Sequence, residues 1–356
     1  MENTVNASAN TKQRFNSLDF LKFILAVVIV FHHFQQIMGV KFEHINFFYG
    51  SIYFGYAVEF FFIISGFVIA FQVERKGFGS FRSWMTSKIT RILPMAVLSI
   101  IACFAVDLIK YLIGGVRLKG LWNLATSFTC TFIGGGVVLS ELGFNNPLWY
   151  VCVLFICYAI LYCLNRFSPK IGISVHYLYI GMVLLGLGIH YYKINLPFLN
   201  DYTSRGYVAF FLGMLLYELY KKHGSNKELY ISSIILIAVC FVGGAALRMI
   251  DDQWAIFTFL LFPPVLFLFL GAEKFFSSKV FAMLGGVSFE MYLWHVPFLH
   301  LYNPARKVLG ITQQITHLEM VCFTLVLIVF CLPVTLIFEK RVHAFCMCKE
   351  YQNERA

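Results

Sequence analysis

Residues 18–34 read LDFLKFILAVVIVFHHF, an apolar run that opens on Leu18-Asp19, carries Lys22 one turn in, and ends with His32 and His33 before its last phenylalanine. About 20 apolar residues cross the hydrocarbon core of a bilayer as a helix, and this run extends to residue 38. Ionisable groups inside such a stretch are costly and tend to be functional. Lys22 and His33 are eleven residues apart. At 100° per residue they fall within about 20° of one helix face, roughly 16 Å apart along it. Lys22 is close enough to the helix end to snorkel. His33 lies deeper, where desolvation favours a neutral imidazole, the form that takes a proton. A histidine that hydrogen-bonds a neighbouring helix is the plainer explanation. His32 points elsewhere on the helix and is the weaker candidate.

Apolar runs of similar length recur near 51–72, 90–112, 148–165, 175–191, 204–221, 230–249, 255–271, 281–301 and 317–338. The expected fold is all-α, a polytopic transmembrane helical bundle of about ten transmembrane helices. One transmembrane domain occupies 18–338, between a cytoplasmic N-terminal segment, 1–17, and a cytoplasmic C-terminal tail, 339–356. The stretch 121–139, broken by Gly134, Gly135 and Gly136, reads as a re-entrant or interfacial piece. Composition agrees: 59% of the 356 residues are hydrophobic and 13% charged, more apolar surface than a water-soluble globule can hide.

The net charge of +10 does not point to nucleic acid, because the basic residues are scattered through short polar connections rather than gathered in a stripe. With ten spans and a cytoplasmic N-terminus, the larger share of the 28 Lys and Arg residues falls on the cytoplasmic side, which puts both termini there. The ten cysteines lie mostly in apolar runs, where a thiol acts as a small hydrophobe, so no disulfide framework is expected. Cys346 and Cys348 are a weak signal for metal or lipid attachment. The polar residues 1–17 do not resemble a cleaved signal peptide.

The second run contains YAVEFFFIISGFVIA, residues 56–70, with Glu59 roughly 12 Å below its outer end by helical rise. His295, in SFEMYLWHVPFLH, falls near the same depth as His33. Three proton-exchanging groups are therefore expected in one layer, with Glu290 a lesser candidate and a structural ion pair the alternative for Glu59. Ser65-Gly66 lets a backbone or ligand approach closely, and a helix-packing contact accounts for it equally well. The loop that follows holds Arg75, Lys76, Arg82, Lys88 and Arg91 ahead of Pro94. These cations suit cofactor phosphates or anionic membrane lipids. No metal site has ligand spacing. From the residues alone, an intramembrane acid–base site serves either acyl transfer or proton-coupled transport, the latter as a transporter or flippase.

At these residues the sequence resembles the acyltransferase-3 family of bacterial membrane O-acyltransferases that act on cell-surface glycans such as lipopolysaccharide and exopolysaccharide. The likeness runs through Leu18-Asp19, Lys22 and His33, with Lys22 where arginine is commoner. It continues through Glu59, Phe61 and Ser65-Gly66-Phe67, SKITRILP with Lys88, Arg91 and Pro94, NNPLWYV, RGYVAFFLGM with Arg205 and Gly213, and GGVSFEMYLWHVP with Trp294 and His295. The resemblance implies an acyl (acetyl) group passing from cytoplasmic acyl-CoA, acetyl-CoA above all, to a hydroxyl of a glycan or lipid-linked saccharide acceptor. It implies His33 as the catalytic centre, either base or acyl carrier, with Glu59 orienting or charge-balancing it. Lys22, Lys88 and Arg91 would hold CoA phosphates, and Ser65 and Gly66 would line the acyl passage. Asp19, Arg205, Trp294 and His295 would serve acceptor binding or structure. The implied location is the bacterial plasma (inner) membrane. Many relatives carry a glutamate shortly after the Leu148-Trp149 pair, where this chain has Leu154.

Overall fold

The computed structural model describes residues 14–114, 137–138, 145–224, 226–243 and 253–339. The piece at 121–139, apart from residues 137 and 138, and the tail with Cys346 and Cys348 lie outside them. All regular elements among the described residues are helical. In chain order they are α1 (Asn16–Met38), α2 (Ala57–Lys76), α3 (Phe81–Gly114), α4 (Trp149–Ile171) and α5 (Val175–Tyr191). Then come α6 (Asp201–His223), α7 (Lys227–Val242), α8 (Gln253–Gly271), α9 (Lys279–Val308) and α10 (His317–Pro333).

Each apolar run has become a helix, but among the described residues six, α1 to α4, α8 and α10, are long and apolar enough to cross a membrane. The expectation of about ten is met only to that extent, for a physical reason. α5 and α7 are short, at 17 and 16 residues. α6 and α9 carry Arg205, Glu290 and His295, which lower their apolarity, yet their long stretches of buried residues show that other helices enclose them. An enclosed helix does not need a lipid-compatible surface.

One expectation is corrected outright. All five cations sit on helices rather than in a loop: Arg75 and Lys76 end α2, and Arg82, Lys88 and Arg91 lie on α3, which starts at Phe81 and runs through Pro94. The turn that precedes it is made by Gly77 and Gly79, both in the left-handed region at φ +67° and +66°, a conformation glycine adopts without strain.

α1 is fixed at its first turn by another segment. The backbone N–H groups of Asn16 and Ser17 donate to the Glu273 carboxylate at 2.8 and 3.1 Å, supplying acceptors for N–H groups that a helix start leaves unpaired. Arg14 also donates to the carbonyl of Ala282 at 2.8 Å, and the Asp19 side chain lies directly against Gly285. α1 and α9 therefore start at the same end and run in parallel. That arrangement carries His33 and His295 to a common level.

α2 and α6 touch backbone to backbone. A side chain on Gly66 would run into the Phe210 carbonyl, and one on Gly213 into the Ile63 carbonyl, so two glycines from facing helices let the axes approach. Phe62, Phe67, Phe210 and Phe211 fill the surrounding core and are fully buried. Gly66→Ala is expected to push the helices apart and cost about 1–3 kcal/mol, read as a lower melting temperature of purified protein; an unchanged melting temperature would refute the close-contact role.

Candidate functional site

His33 and His295 meet where α1 and α9 run together. Their rings stack with centroids 5.1 Å apart and planes inclined by 29°. His295 is fully buried, and His33 is half-buried. The His33 Nδ1 lies 2.8 Å from Gln36 Oε1. An amide oxygen only accepts, so the contact puts the ring proton on Nδ1 and leaves Nε2 with its lone pair. The same logic holds for His295, whose Nδ1 donates to the Tyr292 carbonyl at 2.8 Å and lies 3.2 Å from that of Met291. Its Nε2 is buried with no hydrogen-bond partner among the described residues. Buried polar atoms normally have partners, so an unmet lone pair beside a second imidazole is a feature of a site rather than of a core.

His32 completes a row of three rings. It stands edge-on to His33 at 5.1 Å, and its Nδ1 donates to the Phe47 carbonyl at 3.0 Å. Its other face meets Tyr53 at 4.9 Å. Proximity thus includes the histidine judged weaker from the sequence.

Glu59 sits apart from the histidines. Its carboxylate, fully buried, is held by Arg205 through two nitrogens, with Nη2 at 2.9 Å from Oε2, and by the Trp254 indole N–H at 2.8 Å from Oε1. Arg205 also donates to the Gly55 carbonyl at 3.2 Å and lies 4.8 Å over the Trp149 ring. The carboxylate expected to orient His33 therefore orients Arg205, and Gln36 takes the orienting place beside the histidine. The i,i+3 spacing of His33 and Gln36 puts them on one face and was available in the sequence. Nothing in the sequence pointed to Trp254.

An aromatic file leads away from the histidine pair. Tyr292 lies 6.0 Å from His295 and 5.5 Å from Tyr150, ring to ring. The Tyr150 hydroxyl is 3.0 Å from Ser65 Oγ. Ser65 thus stands at the end of the file, while its neighbour Gly66 is taken up by the α2–α6 contact.

The cations occupy the end of the bundle where α1 begins. Asp19, buried, binds both Arg14 and Lys22, the latter at 2.6 Å. Two cations meet on that one carboxylate, and the Glu273 carboxylate stands at the same helix start. Lys88 bonds Gln72 at 3.3 Å and rests 4.5 Å over the Trp84 ring, with Arg91 exposed one turn further along α3. Trp294 turns away from the histidines, donating to Glu290 at 3.0 Å and packing on Phe330 at 5.2 Å.

No curated protein and no solved structure matches this chain. A family model described as an acyltransferase domain matches residues 15–338, a span that includes His33, the Glu59–Arg205 pair and His295. This multi-pass membrane protein therefore belongs to the acyltransferase-3 family and is an acyltransferase.

Proposed function

We propose that the protein is an O-acyltransferase of the bacterial plasma membrane, moving an acyl group, acetyl in the simplest case, from cytoplasmic acyl-CoA to a hydroxyl of a cell-surface or lipid-linked glycan. In this reading α5, α6, α7 and α9 also span the bilayer, giving ten spans with both termini cytoplasmic. The observation that carries it is the stacked His33–His295 pair, in which hydrogen bonds from both Nδ1 atoms leave both Nε2 lone pairs available.

His33 Nε2 takes the proton of the acceptor hydroxyl as its oxygen attacks the thioester carbonyl. The carbon–sulfur bond breaks, the acyl group passes to the oxygen, and the proton goes to the departing CoA sulfur. Lys22, Lys88 and Arg91 hold the CoA phosphates at the cytoplasmic mouth, and Ser65 and the Tyr150–Tyr292 file lead toward the histidines. A proton-relay transporter is less well supported, because Glu59, the carboxylate such a relay would need, is committed to Arg205 and Trp254.

The test uses purified protein in lipid vesicles with radiolabelled acetyl-CoA and a crude glycan extract. Release of CoA with label appearing in glycan supports the reading; no turnover, together with proton-driven solute uptake, would replace it with transport. In the same assay Gln36→Leu is expected to lower turnover roughly tenfold, the value of about one hydrogen bond at ~1.4 kcal/mol per decade. Full activity in Gln36→Leu would remove Gln36 from its positioning role.

A further inference from the structure

At the end of the bundle opposite Lys22 and Lys88, a cavity of about 450 Å³ opens where the segment before α2, the end of α5, the start of α6 and the start of α8 converge. Its volume lies in the ~300–1,000 Å³ range of small-ligand pockets. The rings of Tyr53, Tyr56 and Tyr191 form its aromatic walls, with Trp254 buried behind His190. Polar groups stand between them. His190 is stacked on Trp254 at 4.2 Å and bonded through Nδ1 to Asp201 at 3.2 Å, so both planar rings are fixed. Lys193, also lining the cavity, has a φ of +53°. That conformation closes α5: the N–H groups of Lys193 and Ile194 donate to the carbonyls of His190 and Ile189 at 3.3 and 3.0 Å, a left-handed helix cap that fixes where Lys193 stands.

The charges decide what fits. Arg205 reaches the cavity already neutralised by Glu59, and Asp201 offsets Lys193. A polyanion such as CoA finds no excess of positive charge there. Flat aromatic faces suit the C–H face of a sugar ring, while a carboxylate, an imidazole and an ammonium suit its hydroxyls. The geometry points to this cavity as the binding site for a neutral saccharide unit of the acceptor, an assignment that rests on the acyl-transfer reading above. Its position agrees, since Tyr53 in the wall contacts His32, and His32 contacts His33.

The test measures binding, which does not depend on turnover. Full-length protein in glycoside-free lipid nanodiscs is titrated with maltose, lactose and chitobiose, with tripolyphosphate as the polyanion control, for wild type, Tyr191→Ala, Lys193→Ala and His33→Ala. Tyr191 and Lys193 are exposed, so their replacement leaves the fold intact, checked by thermal melting. Saturable binding of a neutral disaccharide, weakened roughly tenfold by Tyr191→Ala and retained by His33→Ala, establishes the pocket. Octyl maltoside below its micelle concentration binding tighter than maltose identifies a lipid-linked saccharide, and equal binding a free one. Absence of binding by all three disaccharides, equal binding by wild type and Tyr191→Ala, or preference for tripolyphosphate overturns the assignment. Disaccharide binding without any acetyl-CoA turnover in the vesicle assay would instead count against the acyl-transfer reading and leave the pocket standing.

Discussion

His33→Ala is expected to lower acyl transfer by about 10²–10⁴-fold, the usual worth of a positioned general base, while leaving the protein folded and its melting temperature near that of wild type. Among the described residues the half-buried ring makes one side-chain hydrogen bond, to Gln36, so little structural support is lost. His295→Ala tests whether the pair acts as a unit. Its ring is fully buried and bonded to the backbone of its own helix, so removal also opens a cavity, and His295→Gln is the better probe. Residues acting as a unit are far from additive: the His33→Ala/His295→Gln double variant is expected to be little worse than His33→Ala. Additive losses in turnover would mean that the two imidazoles act separately. Wild-type turnover in His33→Ala would remove the catalytic centre from α1 altogether.

The helices were legible because each is a long apolar run, and period and length are local properties. His33 was legible too, as a polar group in a run with little other polarity. What one chain cannot display is rotation of helices about one another. Depth counted along each helix put Glu59, His33 and His295 in one layer, but depth is a single coordinate. The contacts divided the three groups, pairing His33 with His295 through the parallel α1–α9 packing and Glu59 with Arg205 across α2 and α6. Arg205 was flagged without its partner, and Trp254 not at all, since an indole in an apolar run has the same local pattern whether it faces lipid or a carboxylate. The segment at 81–91 was misread as a loop for a related reason. Its charges read locally as a polar connection between two apolar runs, whereas here Lys88 lies over Trp84 and bonds Gln72 of α2, contacts that only the folded bundle supplies.

The second large effect expected is the loss of the folded protein when the Glu59–Arg205 pair is broken from one side. Glu59 is fully buried, and its oxygens accept from Arg205 and Trp254. Burying a charge is repaid by its partner only while both are present, so stranding one costs about 3–5 kcal/mol. Glu59→Ala leaves the Arg205 guanidinium without its counter-ion and the Trp254 N–H without its acceptor. Arg205→Ala leaves the buried carboxylate with the Trp254 N–H but no counter-ion, so both single variants should melt early or fail to accumulate in the membrane. Replacing both residues by methionine removes the two charges together while keeping much of their volume. The double variant is then expected to regain most of the lost stability, since apolar replacements of buried ion pairs are often neutral or better. A double variant as unstable as the sum of its singles would mean that each residue is held by other contacts and that the pair is incidental. If stability returns but saccharide binding does not, the pair is retained for the wall that Arg205 gives the cavity, and the fold can do without it.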